Sequence, residues 1–446
     1  MVRSTFLMAG AAAVIALNGC GKANARPAES AAVAPLAFTP ASVASRATEN
    51  GATPMFLSTS RGDRVVAWVS APGGGEAGTL NFSVMPAGAH EATSPAAIRD
   101  PLGPIEPHGE APPQLAADAS GRIFALYAVG KVVPGRRFPA SALRLVHSED
   151  AGLSWSAPVT VNEAGPLGEF GSHNFQNLSV TPNGVLVVTW LRGGKDGSGV
   201  AMSRSRDGGR TWEPTRTVYG DPSCPCCRTA VASDADGALY LAWRAVLPGD
   251  IRDVVVMKST DGGETWGEPV RPVAHDWVFP GCPHAGPSLR VSGTGEVHIA
   301  WWNGKEGQAG VWYGRSTDGG KTFTSQPLAV GNRSAPAHVQ LALAPGNRVL
   351  VAWDDGHSAL PRTLLRMSSD GGNSFGAQQL VSEEGVAASF PVLAVAGDSV
   401  LVAWSQTTAS AHHEKAAKAV DMKDPKAVMG LPRVGQSEIL VRSARL

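Results

Sequence analysis

Four cysteines and several histidines stand at spacings that suit a soft-metal site. Ser223-Cys-Pro-Cys-Cys-Arg228 places Cys224, Cys226 and Cys227 within one turn, and Gly281-Cys-Pro-His284 adds Cys282 and His284. Cys226, His284 and His173, the last in Gly171-Ser-His-Asn174, each stand 17 residues before a tryptophan: Trp243, Trp301 and Trp190. His108 and His338 stand two residues out of that register in two further segments. Imidazole and thiolate together favour a soft or borderline ion, copper first and zinc as the alternative, over magnesium or calcium. The competing use of the same thiols is a disulfide such as Cys224–Cys282. The two uses are compatible, because one bridge leaves two thiols and the histidines free for a metal.

A second set of polar groups follows the tryptophans: Arg192, Arg244, Trp302, Asn303, Asp354 and Asp355, with His357 nearby, while Arg228 sits beside the cysteines. Arg192, Arg228 and Arg244 are expected to form a pocket for a small anionic ligand through bidentate guanidinium contacts. The alternative for these arginines is a solvated rim.

The elements that must position these groups repeat along the chain. A short apolar run ending in an aromatic residue recurs seven times, closing at Trp68, Tyr127, Trp190, Trp243, Trp301, Trp353 and Trp404. Successive ends lie between 51 and 63 residues apart, enough for four strands per repeat. That spacing predicts an all-β chain of seven four-stranded antiparallel blades arranged as a β-propeller, with six blades as the alternative count. We name the strands of a blade A to D from the axis outward, the aromatic run being B. The chain ends in Ile439-Leu-Val-Arg-Ser443, which reads as a C strand, so the last blade lacks its own D strand. Leu36-Ala-Phe-Thr39 is expected to supply it and so close the ring. The D–A and B–C connections then share one face around the channel mouth, which is where the cysteines, histidines and arginines fall.

The C–D connections carry a different repeat. Ser148-Glu-Asp-Ala-Gly-Leu-Ser-Trp155 returns as Ser205–Trp212, Ser259–Trp266, Ser316–Phe323 and Ser368–Phe375, with Asp150, Asp207, Asp261, Asp318 and Asp370 at the same place in each copy. The pattern Ser-x-Asp-x-Gly-x-Thr-Trp resembles the Asp-box, or bacterial neuraminidase repeat, of the sialidase-like β-propellers. The resemblance covers about residues 50–446 and implies a structural role for these aspartates. The family's chemistry uses an arginine triad, a Tyr–Glu nucleophilic pair and an acid/base Asp. Neither its Phe-Arg-Ile-Pro motif nor a paired glutamate is recognisable here, and of Tyr127, Tyr219, Tyr240 and Tyr313 only Tyr219, near Asp221, lies in a D–A connection. Whether the chain is an enzyme is therefore left open by the resemblance, and no catalytic residue is assigned.

Lys+Arg 38 against Asp+Glu 38 gives no charge excess that would attract nucleic acid. Arg3 followed by the apolar run Phe6–Leu17 reads as a targeting segment over residues 1–19, and Leu17-Asn-Gly-Cys20 resembles a bacterial lipobox. That resemblance implies lipidation of Cys20 and attachment to the cell envelope through the lipid alone, on the periplasmic face of the outer membrane in a Gram-negative cell. Residues 20–35 read as a tether, 36–446 as one propeller domain, and 405–436, with His412-His-Glu-Lys415, as a long loop or lid over the mouth. The expected function is metal handling or redox chemistry in the envelope. The alternatives are an exo-sialidase-like glycoside hydrolase acting on an acidic sugar, and a non-catalytic scaffold for another envelope protein.

Overall fold

The computed structural model describes Met1 and residues 33–45, 50–70, 78–89, 91–94, 97–136, 139–193, 199–331, 337–355, 360–407 and 437–446. The targeting segment with Cys20, the tether up to residue 32, His357 and residues 408–436 of the long loop lie outside the described residues. Every regular element among the described residues is a strand. A first strand, β1 (Ser42–Val43), precedes β2–β4 of blade 1 (Gly51–Ser58, Arg64–Ser70, Thr79–Met85) and β5–β8 of blade 2 (Gln114–Ala117, Ile123–Lys131, Ala140–Ser148, Val159–Thr160). Blade 3 holds β9–β12 (His173–Val180, Leu186–Arg192, Gly199–Ser205, Arg216–Tyr219), and blade 4 holds β13–β15 (Ala230–Ser233, Leu239–Arg244, Val254–Ser259). Blade 5 holds β16–β19 (Ser288–Val291, Val297–Asn303, Gly310–Ser316, Thr324–Val330), and blade 6 holds β20–β23 (Val339–Ala344, Arg348–Asp355, Arg362–Ser368, Gln379–Leu380). Blade 7 ends the chain with β24–β26 (Ala387–Ala396, Ser399–Thr407, Ser437–Arg445).

The seven blades are antiparallel meanders, and their A strands touch in sequence around a ring that closes between β24 and β2. In blades 1 and 4 the outermost strand is reduced to isolated bridges, Leu80–Ile98 and Val84–Thr93 in one and Val256–Val270 in the other. The expected closure is present with its register shifted. Thr39 N–H donates to Ser443 O at 2.8 Å, Phe38 bridges Ala444, and the paired strand itself is Ser42–Val43 against Val441 and Leu440. The N-terminal segment thus covers the exposed edge of β26, which would otherwise be open to pairing.

The B strands form the core because both faces of each are covered by neighbouring blades. Trp190, Trp243, Trp301 and Trp404 are fully buried, and replacing one by alanine would cost about 3–5 kcal/mol. The Asp-boxes lie on the opposite face from the cysteines and are alike in detail. In blade 4 the Asp261 carboxylate accepts from the Thr265 amide (2.9 Å) and hydroxyl (2.6 Å), while Ser259 Oγ donates to it and accepts from Gly263 N–H at 2.8 Å. The second glycine of each box also rests on the preceding blade. A Cβ on Gly372 would stand 1.9 Å from the Tyr313 hydroxyl, and φ there is +88°, so only glycine fits. Each box therefore closes its own hairpin and fastens it to its neighbour.

Candidate metal centre at the channel mouth

The cysteine loop of blade 4 is held from both sides. Cys224 N–H donates to Arg244 O at 2.9 Å, which ties the loop to its own B strand, and Thr229 N–H donates to Phe175 O at 3.1 Å, which ties it to blade 3. The turn so fixed folds three thiols inward. Cys224 Sγ stands 3.2 Å from Cys227 Sγ and 3.6 Å from Cys226 Sγ, and all three sulfurs lie within 4.8 Å of one another. The three are buried and unbridged. Cys282, partly buried on the blade 5 loop, packs against the cluster that contains the three.

Blade 5 approaches closely enough to share this site because of Gly286. A Cβ there would stand 2.5 Å from the Arg228 side chain and carbonyl, so any larger residue would push the two loops apart. His284 takes a left-handed backbone conformation, φ +49°, and its Nδ1 is buried without a partner. A non-glycine residue in that region costs of order 1–3 kcal/mol and is kept only where its surroundings hold it.

A third connection completes the mouth. The segment leading into blade 2 reaches across the axis, and Glu110 is buried against blades 4 and 5. Its Oε1 accepts from Arg228 Nη1 at 2.9 Å, and its Oε2 accepts from Gly286 N–H at 2.7 Å and Arg228 N–H at 3.3 Å. One carboxylate thus staples the loop bearing Cys224–Cys227 to the loop bearing Cys282 and His284. His338 donates from Nδ1 to Asp354 at 2.7 Å, and its Nε2 stands 3.7 Å from Glu110. The His108 and His284 rings stack 5.9 Å apart, while His108 Nδ1 accepts from Glu110 N–H at 3.2 Å.

The local electrostatics favour neutral His108 and His284, a protonated His338, and negative charge on Cys282 and Cys224. Burial, then the neighbouring His284 and His338, lowers His108 to about 3. Burial also lowers His284, against the opposing pull of Cys227 and Glu110. Burial opposes charge on His338 too, but Asp354 and Glu110 outweigh it and raise that group. Burial pushes the Cys227 thiol up to about 11 and Cys226 well above its ordinary value. The neighbouring Cys224 and Cys226 draw Cys282 down to about 4, and burial of Cys224 is outweighed by Cys226 and Cys227, which lower it too.

Two sequence expectations are corrected by this geometry. His173 does not join the cysteines. It begins β9, opposite Arg192 in the sheet, and its burial together with Arg192 and Arg136 lowers it to about 4. The equivalent residues Cys226 and His284 precede their A strands by four residues, so equal distance from the tryptophan does not give equal depth. A register shift between Thr189 and Leu191 and the left-handed Phe175 mark where blade 3 departs. The three arginines do not share a pocket either. Arg228 is consumed by Glu110 and Val339 O, Arg244 clamps the carbonyls of Arg252, Ala285 and Trp302, and Arg192 stays exposed beside Thr217. His108 and His338, out of register in the sequence, are the histidines that the structure brings towards His284. Glu110 was missed, and the only signal for it was its place two residues after His108 in a D–A connection.

Fold and turns define this chain as a seven-bladed β-propeller whose C–D turns are built like Asp-boxes. Residues 80–278 match the BNR repeat-like domain. No curated protein matches. Among solved structures, a protein of unknown function from Dyadobacter fermentans DSM 18053 is similar at 15% identity and TM-score 0.54, over 92% of this chain and 99% of that one. An ulvan lyase of polysaccharide lyase family PL25 is similar at 14% identity and TM-score 0.53, over 81% and 93%. Trypanosoma rangeli sialidase is similar at 11% identity and TM-score 0.51, over 89% of this chain and 55% of that one. At these identities the likeness is one of fold.

Proposed function

We propose that the channel mouth is a thiolate-rich soft-metal centre, with Cys224, Cys226, Cys227, Cys282 and His284 as the candidate ligands. The observation that carries this reading is the buried, unbridged thiol trio, on a loop that Glu110 ties to the loop of His284, whose Nδ1 is buried without a partner. A tetrahedral thiolate site with metal–sulfur distances of about 2.3 Å has sulfur–sulfur edges of about 3.8 Å. The observed separations of 3.2 and 3.6 Å approach that without rearrangement of the loop. Arg244 and Arg252 lie near enough to favour the thiolate forms of Cys227 and Cys282, which offsets part of the cost of burying negative charge. Zinc(II) and copper(I) both suit such a ligand set. The lipobox-like segment ending at Cys20 supports a role in envelope metal handling. Elemental analysis of reduced protein purified without a histidine tag is expected to find about one equivalent of zinc or copper. Protein that takes up neither ion at micromolar concentration would overturn the reading.

A second reading is the processing of an acidic glycan, supported by the sialidase and the polysaccharide lyase among the structures of similar fold. Within the chain, the Asp354–His338 pair facing Glu110 is the arrangement that favours it, since such a pair can exchange a proton with a bound hydroxyl. Release of reducing or unsaturated sugar from sialylated or uronate-containing polysaccharide, lost in His338→Gln, would establish it. No turnover on either polymer class would remove it.

A further inference from the structure

The four thiols differ in a way that metal ligation does not require. Cys282 is half-exposed, whereas Cys224 and Cys227 are fully buried and Cys226 nearly so. Cys282 packs against the buried cluster that holds Cys224, and Cys224 in turn stands 3.2 Å from Cys227. The sulfurs thus run in a line from the channel mouth inward. Cys224 and Cys227 are also separated by only Pro225 and Cys226 on a single turn, the sequence spacing at which two thiols can close a small ring.

We propose that this line performs thiol–disulfide exchange with low-molecular-weight disulfides that enter the channel mouth. In the first step the Cys282 thiolate attacks one sulfur of the small disulfide. A mixed disulfide forms on Cys282, and one small thiolate leaves and takes a proton. In the second step the Cys224 thiolate attacks Cys282 Sγ, the second small thiolate leaves, and a Cys224–Cys282 disulfide results. In a third step Cys227 attacks Cys224 Sγ and releases Cys282, which leaves Cys224–Cys227 as the buried product. Two protein thiols are oxidised, and one disulfide is reduced to two thiols. A sulfur held in a disulfide is no longer a thiolate ligand, so oxidation also empties the metal centre. That release rests on the metal-centre reading; the exchange chemistry does not.

The test uses metal-free, reduced full-length protein carrying Cys20→Ser, so that the only thiols are the four at the mouth. Oxidised glutathione is the probe, and peptide mass mapping follows quenching. The expected product has two thiols fewer and a Cys224–Cys227 or Cys224–Cys282 bridge, with the far-ultraviolet circular dichroism of the blades unchanged. Cys282→Ser should slow the loss of thiols by about tenfold or more, because the remaining sulfurs are buried. Cys224→Ser should stop at a single glutathionyl adduct on Cys282. Persistence of all four thiols would overturn the proposal, and so would oxidation of Cys282→Ser at the wild-type rate. Metal uptake by the reduced protein is measured in parallel. Uptake without exchange sinks this inference alone, whereas exchange without uptake sinks the metal reading alone.

Discussion

The two faces of the ring are built on opposite plans. On the Asp-box face five connections repeat one hydrogen-bond pattern: a serine hydroxyl donates to the aspartate, and the aspartate accepts from the amide and hydroxyl four residues on. Among the described residues of the channel mouth, the connections contribute different groups. Blade 2 contributes Glu110 and His108, blade 4 three thiols, blade 5 a thiol and an imidazole, and blade 6 a histidine–aspartate pair. A feature that repeats from blade to blade serves what those blades share, which is closure of the hairpin and contact with the neighbouring blade. Chemistry gathers where a blade departs from the repeat, because convergence on one axis needs different side chains from different directions.

The sharpest way to break this contrast is to remove one group from each face. Cys227→Ser should abolish stoichiometric zinc or copper uptake while leaving the blades folded, as read by elemental analysis and near-ultraviolet circular dichroism. Asp261→Ala should lower the melting temperature by a few degrees and leave metal uptake unchanged, because the box carries no ligand. Metal loss in Asp261→Ala alone would reverse the assignment of the two faces.

Glu110 tests whether the mouth is a single unit. Glu110→Ala leaves the buried Arg228 guanidinium without its carboxylate and should destabilise the protein by about 3–5 kcal/mol in denaturant melts. Metal affinity should fall with it, although no ligand has been removed. Glu110→Gln, which keeps an oxygen acceptor, should lose less of both. An intact affinity in Glu110→Ala would mean that the two loops hold together without the staple.

Edge closure is a smaller effect of the same repeat logic. Deleting residues 33–43 removes the strand paired with β26 and the apolar contacts of Val33, Leu36 and Phe38 with blades 6 and 7. The melting temperature should drop and the tendency to associate should rise, as followed by light scattering.

Titration separates buried histidines by sign, His108 and His338 at the mouth and His298 at the Asp-box end of blade 5. His108, lowered to about 3, and His298, lowered to about 4, bind protons in the unfolded chain before they do so in the folded one. Their contribution to stability is present above the ordinary histidine value of 6.5 and is lost as pH falls through those lower values. His338 is raised, so its contribution is present below that ordinary value and is lost as pH rises through its raised one. Denaturant midpoints from pH 4 to 8 should show the acid slope flatten in His298→Gln, while His338→Gln should lose the term of opposite sign.

The blades, their number and the box turns were legible in the sequence, because each depends on hydrogen bonding and burial within one repeat. The missing last strand was legible for the same reason: a C-terminal run with no partner implies an edge that some other segment must cover. The thiol cluster was legible in part. Cys224, Cys226 and Cys227 share one turn, so their proximity is local, and the alignment of Cys282 and His284 with that turn was enough to bring blade 5 to it. The same count misplaced His173, because β9 extends to that residue whereas β13 and β16 begin four residues after Cys226 and His284. Where a strand begins depends on how its neighbours pair with it, and a spacing rule does not carry that. Glu110 was beyond reach for a related reason. Its partners, Arg228 and Gly286, are 118 and 176 residues away in the chain, and only ring closure brings them to one carboxylate. The sequence determined what each blade is. The tertiary structure alone decided which connections meet across the axis, since those contacts are set by loop conformations such as the left-handed His284 and by the close approach that Gly286 permits.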